Sequence, residues 1–218
     1  MSQQVDKEIV CPHCSAKSLV NMWGSINPAE NPELREKIMQ QNLFDWCCPE
    51  CKKHAQVLYP CVYHDTQNDF IIYFIPKSIS KEVRDSILSS EHSDLSSFKK
   101  RAVFSLNEFI EKILIFESGM DDKAIELMKL ALYNIEYSRN EKPIDSIYFY
   151  KYDKNILRLE FAIFKKNEEK PIFKYSQISA YNKAIEVLKE YNYQDNNKFD
   201  IINHSFANKV ASELFIKK

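Results

Sequence analysis

The spacing of apolar residues along the chain predicts helices and strands that come in blocks instead of alternating one by one. Six segments carry apolar residues three or four positions apart, as amphipathic helices do, near residues 32–43, 80–88, 105–118, 121–135, 177–191 and 204–215. Runs rich in β-branched and aromatic residues predict strands near residues 17–26, 43–46, 55–59, 70–75, 147–150, 156–164 and 171–175. The last three strands are separated by short polar turns. This pattern predicts an antiparallel meander within an α+β fold.

Residues that start and stop helices support these boundaries. In the dipeptide Asn31-Pro32, asparagine is a favoured helix N-cap and proline is favoured at the first helical position, so a helix is predicted to begin at Pro32. Ser105–Glu108 fits a capping box, Gly119 suits a left-handed helix stop, and Asp121 can cap the next helix. The two central helices are therefore predicted to form a hairpin. A buried stripe is expected on the second of them, at Ile125, Met128, Ala131, Leu132 and Ile135.

Three polar segments are expected to face solvent. Glu91–Ser97 is rich in serine and charge, which favours a mobile loop. Lys99-Lys100-Arg101 is interpreted as a solvated charge run. His64-Asp65, shortly after Tyr59-Pro60, is interpreted as a polar turn.

Composition excludes several classes of protein. Of the 218 residues, 44% are hydrophobic and 28% are charged, close to the globular average. The chain has two glycines, Gly24 and Gly119, whereas phosphate-binding loops and nucleophile elbows need several close together. We therefore expect neither a nucleotide-dependent enzyme nor an α/β-hydrolase. The N-terminal residues are polar and the apolar run Phe70–Ile75 is too short to cross a membrane, so we expect a soluble cytoplasmic protein with reduced cysteines.

All six cysteines lie within the first 61 residues, and four of them form two matching turns. Cys11-Pro12-His13-Cys14 and Cys48-Pro49-Glu50-Cys51 share the form Cys-Pro-x-Cys. A two-residue gap lets one turn direct both sulfurs at one ion, and the proline sets a φ that suits the turn. Two such turns supply the four sulfurs of a closed, structural zinc site. The predicted ligands of Zn²⁺ are therefore Cys11, Cys14, Cys48 and Cys51.

These turns, together with neighbouring segments, resemble a known family. The segments are Trp23–Asn27, Pro32–Ile38, Tyr59-Pro60, Tyr63–Asp65 and Asn107–Lys129. In these features the chain is similar to the CpXC domain family of bacteria and archaea, over roughly residues 8–135. The resemblance implies that the four cysteines are the shared positions. It implies no activity, because the family is functionally uncharacterised.

Other interpretations of the cysteines and histidines stay open. Cys47 and Cys61 lie outside the paired turns, and either is a candidate to replace a ligand. A thiol–disulfide oxidoreductase using Cys11-Pro12-His13-Cys14 needs a helix after its first sulfur, whereas the residues that follow make a poor amphipathic helix. A Cys61–His64 nucleophile has no oxyanion-hole motif beside it. His13 is expected to face solvent, because four sulfurs already complete the metal shell.

Charge disfavours a nucleic-acid-binding ribbon, the other alternative. The chain has a formal net charge of -1, and residues 1–60 contain six Lys or Arg against seven Asp or Glu. Four thiolates around one Zn²⁺ add two further negative charges. The metal-binding region is therefore expected to repel phosphate.

The aromatic strands complete the functional prediction. One face of the meander should be core, and the other either displays tyrosines, which are enriched at protein interfaces, or is buried under the C-terminal helices. We expect a non-enzymatic protein-binding module with a structural zinc site, one form of which is an immunity-type inhibitor that masks a toxin. The predicted domains are 1–66, which binds zinc, 67–140, a strand plus the helical hairpin, and 141–218, the meander and two helices.

Overall fold

A computed structural model describes residues 1–89, 97–139, 143–193, 195 and 198–216. The strands are β1 (Gln3–Val10), β2 (Lys17–Ile26), β3 (Asp45–Cys47), β4 (His54–Gln56), β5 (Cys61–Asp65), β6 (Phe70–Phe74), β7 (Lys99–Val103), β8 (Ile144–Asp153), β9 (Arg158–Lys165) and β10 (Ile172–Gln177). The helices are α1 (Pro32–Met39), α2 (Lys81–Ser89), α3 (Leu106–Glu117), α4 (Asp122–Arg139), α5 (Ile178–Tyr191) and α6 (His204–Ile216). The predicted α+β class is confirmed. The expected mobile loop at 91–97 lies, except for Ser97, outside the described residues.

The chain forms two compact units. The first comprises Met1–Ile110 with Asn197–Phe199, and the second comprises Glu111–Asn196 with Asp200–Lys218. The division predicted at residues 66 and 140 stays a prediction. Within the described residues, no helix is both long enough and apolar enough to span a bilayer.

The first unit is built on a five-stranded mixed sheet with the order β1-β2-β5-β6-β7. β5 and β6 are antiparallel, and Cys61 pairs with Phe74 while Tyr63 pairs with Ile72. Their buried face packs aromatic rings together: Phe74 stacks on Phe109, with ring centroids 5.3 Å apart. Every second residue of β5, namely Cys61, Tyr63 and Asp65, is buried, and a shift of one residue would expose Cys61 and Tyr63, so this burial pattern fixes the register.

Two segments that were expected in solvent are part of this sheet. His64 and Asp65 are the last two residues of strand β5 and do not form the predicted turn. The turn follows them, and in it the Asp65 carboxylate accepts the N–H groups of Gln67 and Asn68. Lys100 and Arg101 are only 3% and 1% exposed in β7, which pairs in parallel with β6. The interpretation of this run as solvated was therefore wrong. A parallel strand covered on both faces buries its side chains whatever their charge, and a charge pattern does not reveal that position.

The first helix is shorter than predicted. α1 ends at Met39 instead of near Leu43, because Gln40 and Gln41 form a turn in which Gln41 has a left-handed φ of 61°. Asn31 does sit at the cap position, but its side chain donates to Glu33 Oε1 instead of capping a backbone N–H.

The start of α3 and the turn that joins α3 to α4 match the predicted capping signals. Ser105 Oγ accepts the N–H of Glu108, and Glu108 Oε2 accepts the N–H of Ser105, which is the reciprocal pattern of a capping box. Gly119 has a φ of +72°, and the N–H of Met120 donates to the carbonyl of Ile115. Asp121 Oδ1 then accepts the N–H of Lys123 at 2.8 Å and caps α4.

The two glycines of the chain provide a matched pair of substitutions. Gly119→Ala forces a β-carbon into the left-handed region, so we expect the protein to lose about 1 kcal/mol of stability in urea unfolding. Gly24→Ala is the control: its Cβ would meet Val5 at an ordinary 3.9 Å, and Gly24 lies in a strand with no left-handed φ. Equal losses in the two variants would contradict this account.

The second unit combines a meander with helices. The sheet order β10-β9-β8, with both pairs antiparallel, confirms the predicted meander. One sheet face buries Phe149, Leu159 and Phe161. The buried stripe expected on α4 is only partly present, since Ile125 and Met128 are buried whereas Ala131 is exposed and Ile135 is 44% exposed. The residues buried on α4 include charged ones, which a hydrophobic pattern does not detect.

Candidate metal centre

The two Cys-Pro-x-Cys turns are the tips of two antiparallel hairpins. β1 and β2 pair up to Val10 and Lys17, which leaves the first tip at residues 11–16. β3 and β4 pair up to Cys47 and His54, which leaves the second tip at residues 48–53. In both hairpins, strand pairing ends at the residue before the first cysteine of the motif and starts again three residues after the second cysteine. The sequence therefore builds the same six-residue tip twice.

The backbone hydrogen bonds of the two tips correspond one to one. The Cys11 N–H donates to the Ala16 carbonyl, and the Ser15 N–H donates to the Cys11 carbonyl. In the second tip, the Cys48 N–H donates to the Lys53 carbonyl, and the Lys52 N–H donates to the Cys48 carbonyl. The residue after each second cysteine has a left-handed backbone, with φ of 61° at Ser15 and 58° at Lys52. The predicted role of the motif, to shape a tight turn, is thus visible in both copies.

The tips bring the four predicted ligand atoms together. All four sulfurs lie within 4.8 Å of one another. Two sulfur contacts join one tip to the other: Cys11 Sγ lies 3.8 Å from Cys51 Sγ, and Cys14 Sγ lies 3.7 Å from Cys48 Sγ. A zinc–sulfur bond of about 2.3 Å in a tetrahedral shell separates the sulfurs by about 3.8 Å. The geometry is compatible with a structural metal site.

The protonation of the cluster also favours a cation. Burial raises the pKa of the Cys11 thiol. The N–H groups of His13 and Cys14 and the neighbouring sulfurs outweigh that effect and lower the pKa to about 6. The N–H of Ala16 lowers the pKa of Cys14, yet burial and the other three sulfurs raise it to about 12. One thiolate therefore disfavours ionisation of the next. A bound divalent cation removes this restriction, because it neutralises the charge that the sulfurs share.

The remaining cysteines and the nearest histidine lie outside the cluster found among the described residues. Cys47 is exposed, and its sulfur faces the carbonyl of Lys52 at 3.6 Å. Cys61 is fully buried in β5, and burial raises the pKa of its thiol to about 12. The His13 ring is exposed, with Nε2 3.4 Å from the carbonyl of His54.

A cysteine–histidine nucleophile at Cys61 and His64 does not fit the strand that carries both residues. Side chains alternate along β5, so the side chains of Cys61 and His64, three positions apart, point to opposite faces of the sheet. Cys61 is buried with Tyr63, whereas the His64 ring packs edge-on against Phe98, with centroids 4.7 Å apart.

Comparison with known proteins adds one finding to this geometry. The family model described as CpXC protein matches residues 9–129, more than half of the chain, and the match contains both tips. The chain belongs to the CpXC family. No match was found among curated proteins or among solved structures.

The CpXC match ends at Lys129, inside a buried ionic network that the hydrophobic pattern of the sequence does not reveal. Lys129 Nζ lies 2.9 Å from both carboxylate oxygens of Glu111 and 3.0 Å from Glu126 Oε1. Lys112 Nζ lies 3.1 Å from Asp122 Oδ2. All five side chains are at most 11% exposed. The sequence signals this network only through the spacing of its charged residues. Asp122, Glu126 and Lys129 are three or four positions apart and so share one face of α4, while Glu111 and Lys112 are adjacent on α3.

Alkylation of the zinc-loaded protein is expected to distinguish the six thiols. Iodoacetamide should modify Cys47 alone, because it is exposed and outside the cluster, whereas Cys61 is buried as a neutral thiol. After a chelator is added, modification should extend to the four clustered cysteines. Mass spectrometry of the digested protein checks both stages. Modification of Cys11 before chelation would contradict the assignment.

Proposed function

We propose that the protein is a non-enzymatic protein-binding module in which a zinc site of four cysteines stabilises the first unit. The closed sulfur shell supports a structural role, because a catalytic zinc keeps a position open for water or substrate. The turn that carries Cys11 leads into strand β2 and not into a helix, so its sulfur lacks the helix N-terminus that activates redox thiols.

The observation that carries the binding role is the outer face of the three-stranded sheet. Tyr150, Phe173 and Tyr175 are 51%, 40% and 54% exposed, although aromatic side chains of this size are usually covered. The Tyr150 and Phe173 rings meet edge to face at 5.1 Å, and the Arg158 guanidinium lies 4.3 Å from the centre of the Tyr175 ring. These four residues form the aromatic face. Tyrosine and arginine are the residue types that dominate binding energy at protein interfaces.

Strand irregularity helps to display this surface. The pairing of β8 with β9 shifts between Phe149 and Lys151, so Tyr150 is the extra residue of a β-bulge. A bulge re-aims the side chain that it carries. The opposite sheet face is the buried one, so the core and the exposed aromatic rings occupy the two sides of the same sheet. The immunity-type form of the function stays a prediction, as does the cytoplasmic location.

Affinity capture from native cells tests the proposal. The Tyr150→Ser, Tyr175→Ser double variant should lose the protein that the wild-type chain retains. Tyr137→Ser is the matched control, because Tyr137 is 66% exposed on α4 and lies outside the aromatic face. Capture that survives in the double variant, or that fails equally in the control, would contradict the assignment of this face.

A further inference from the structure

The second unit carries an apolar groove that no part of the described chain fills. α4 packs against both α5 and α6, whereas α5 and α6 contact each other only slightly. The space left over α4 is a groove of about 500 Å³. Its walls and floor are mostly aliphatic and include Leu127, Ala131, Ile135, Ala180, Val187 and Leu214.

Part of the apolar stripe that was expected on α4 forms the floor of this groove. Leu127, Ala131 and Ile135 are four residues apart and therefore lie along one line of the helix. Ala131 is exposed and Ile135 is 44% exposed, so these two residues of the predicted stripe lack a covering partner within the described chain, and Leu127 continues the same line toward the start of α4. A concave, continuous apolar surface of this kind is the shape into which an amphipathic helix places its apolar face.

Two opposite charges define the edge of the groove. Lys183 and Glu190 both line it from α5, with Val187 between them, and both are exposed. Neither forms an ion pair within the described part of the chain. They are seven positions apart, which is about two helical turns or about 10.5 Å along the axis. A partner that lies along α5 thus meets a positive charge at one end of the groove and a negative charge at the other.

We propose that this groove binds an amphipathic helix of a protein partner, with an acidic side chain beside Lys183 and a basic one beside Glu190. The apolar floor takes the hydrophobic face of the helix, and the two charges fix its direction. The inference rests on the proposed function, since it names a class of partner for a protein-binding module. It uses a different surface from the aromatic face.

Synthetic helical peptides test the groove directly. The probes are two labelled peptides of about 18 residues, or five turns, with leucines along one face. Each carries one glutamate and one lysine seven positions apart at the edge of that face, in opposite orders. Fluorescence anisotropy with the full-length protein should show that one order binds at least about tenfold more tightly.

Variants decide whether the groove is responsible. The charge swap Lys183→Glu with Glu190→Lys should reverse the preference between the two peptides. Ala131→Arg should abolish binding, because it places a charge on the apolar floor. Lys189→Glu is the matched control, since this exposed lysine of α5 does not line the groove, and it should change nothing. Circular dichroism confirms that each variant is folded.

Several outcomes overturn the inference: no binding of either peptide, equal binding of both, or a preference that the charge swap leaves unchanged. Self-association of the wild-type chain that Lys183→Glu disrupts also overturns it, because the occupant is then a second copy. Failure here is distinguishable from failure of the proposed function. The Tyr150→Ser, Tyr175→Ser variant should still bind the preferred peptide, and a groove variant should still be captured through the aromatic face.

Discussion

Cys48→Ser is expected to abolish zinc binding and to unfold the cysteine-containing part of the first unit. The substitution removes one of four sulfurs and leaves three around the ion, while the hairpin tip keeps its backbone. Zinc contributes about 10 kcal/mol or more to the folding of small zinc peptides, which is comparable to the whole stability of a domain. After dialysis the wild type should therefore retain one zinc per chain, and the variant should retain less than one.

Tryptophan fluorescence isolates this effect. Trp23 in β2 and Trp46 in β3 are the two tryptophans of the chain, and each belongs to one of the cysteine hairpins. Their urea transition reports on the first unit, whereas far-UV circular dichroism reports on both units. In Cys48→Ser the fluorescence transition should move to a far lower urea concentration, or vanish, while much of the dichroism signal persists.

Two other cysteines serve as controls. Cys47→Ser changes the exposed neighbour of Cys48 and should keep both the zinc and the fluorescence transition. Cys61→Ser places a hydroxyl in a fully buried position and should cost about 1–3 kcal/mol with zinc retained. Equal losses in Cys48→Ser and Cys47→Ser would contradict the ligand assignment.

The two cysteine tips could be predicted from sequence because the geometry of each tip is local. Each Cys-Pro-x-Cys tip is fixed by hydrogen bonds within six residues, so spacing alone identifies it. The same holds for Gly119 and for the Ser105–Glu108 capping box, whose bonds span three residues. The strand β2 has the bounds that the sequence predicts, and its start is set by the cysteine tip directly before it.

What the sequence did not reveal depends on partners far away in the chain. β1 is exposed at nearly every residue and gives no hydrophobic pattern, so only its pairing with β2 identifies it as a strand. Lys100 and Arg101 have the sequence pattern of a surface run but lie in a covered strand. The apolar pattern predicts a buried stripe on α4 that reaches Ile135, whereas burial of that stripe stops at Met128 and a charged face of α4, with Glu126 and Lys129, is buried beside it.

That charged face leads to the second large expected effect. Lys129→Met should destabilise the second unit by about 3–5 kcal/mol, because it leaves the carboxylates of Glu111 and Glu126, each 2% exposed, without their closest cation. Methionine keeps most of the length and volume of lysine, so the loss reports the charge and not a cavity. Urea unfolding followed by far-UV circular dichroism measures it. Lys209→Met removes an exposed pair with Glu213 and should cost at most about 1 kcal/mol.

The dependence of this loss on pH identifies its cause. Burial raises the pKa of Glu111, and Lys129 is the largest opposing influence, so Lys129→Met should raise that pKa further. A carboxyl whose folded pKa lies above its unfolded value holds its proton more tightly in the folded state. Stability then falls as pH rises from the unfolded pKa through the folded one. The deficit of Lys129→Met should therefore be largest near neutral pH and shrink toward about pH 4. A deficit independent of pH would instead indicate lost packing.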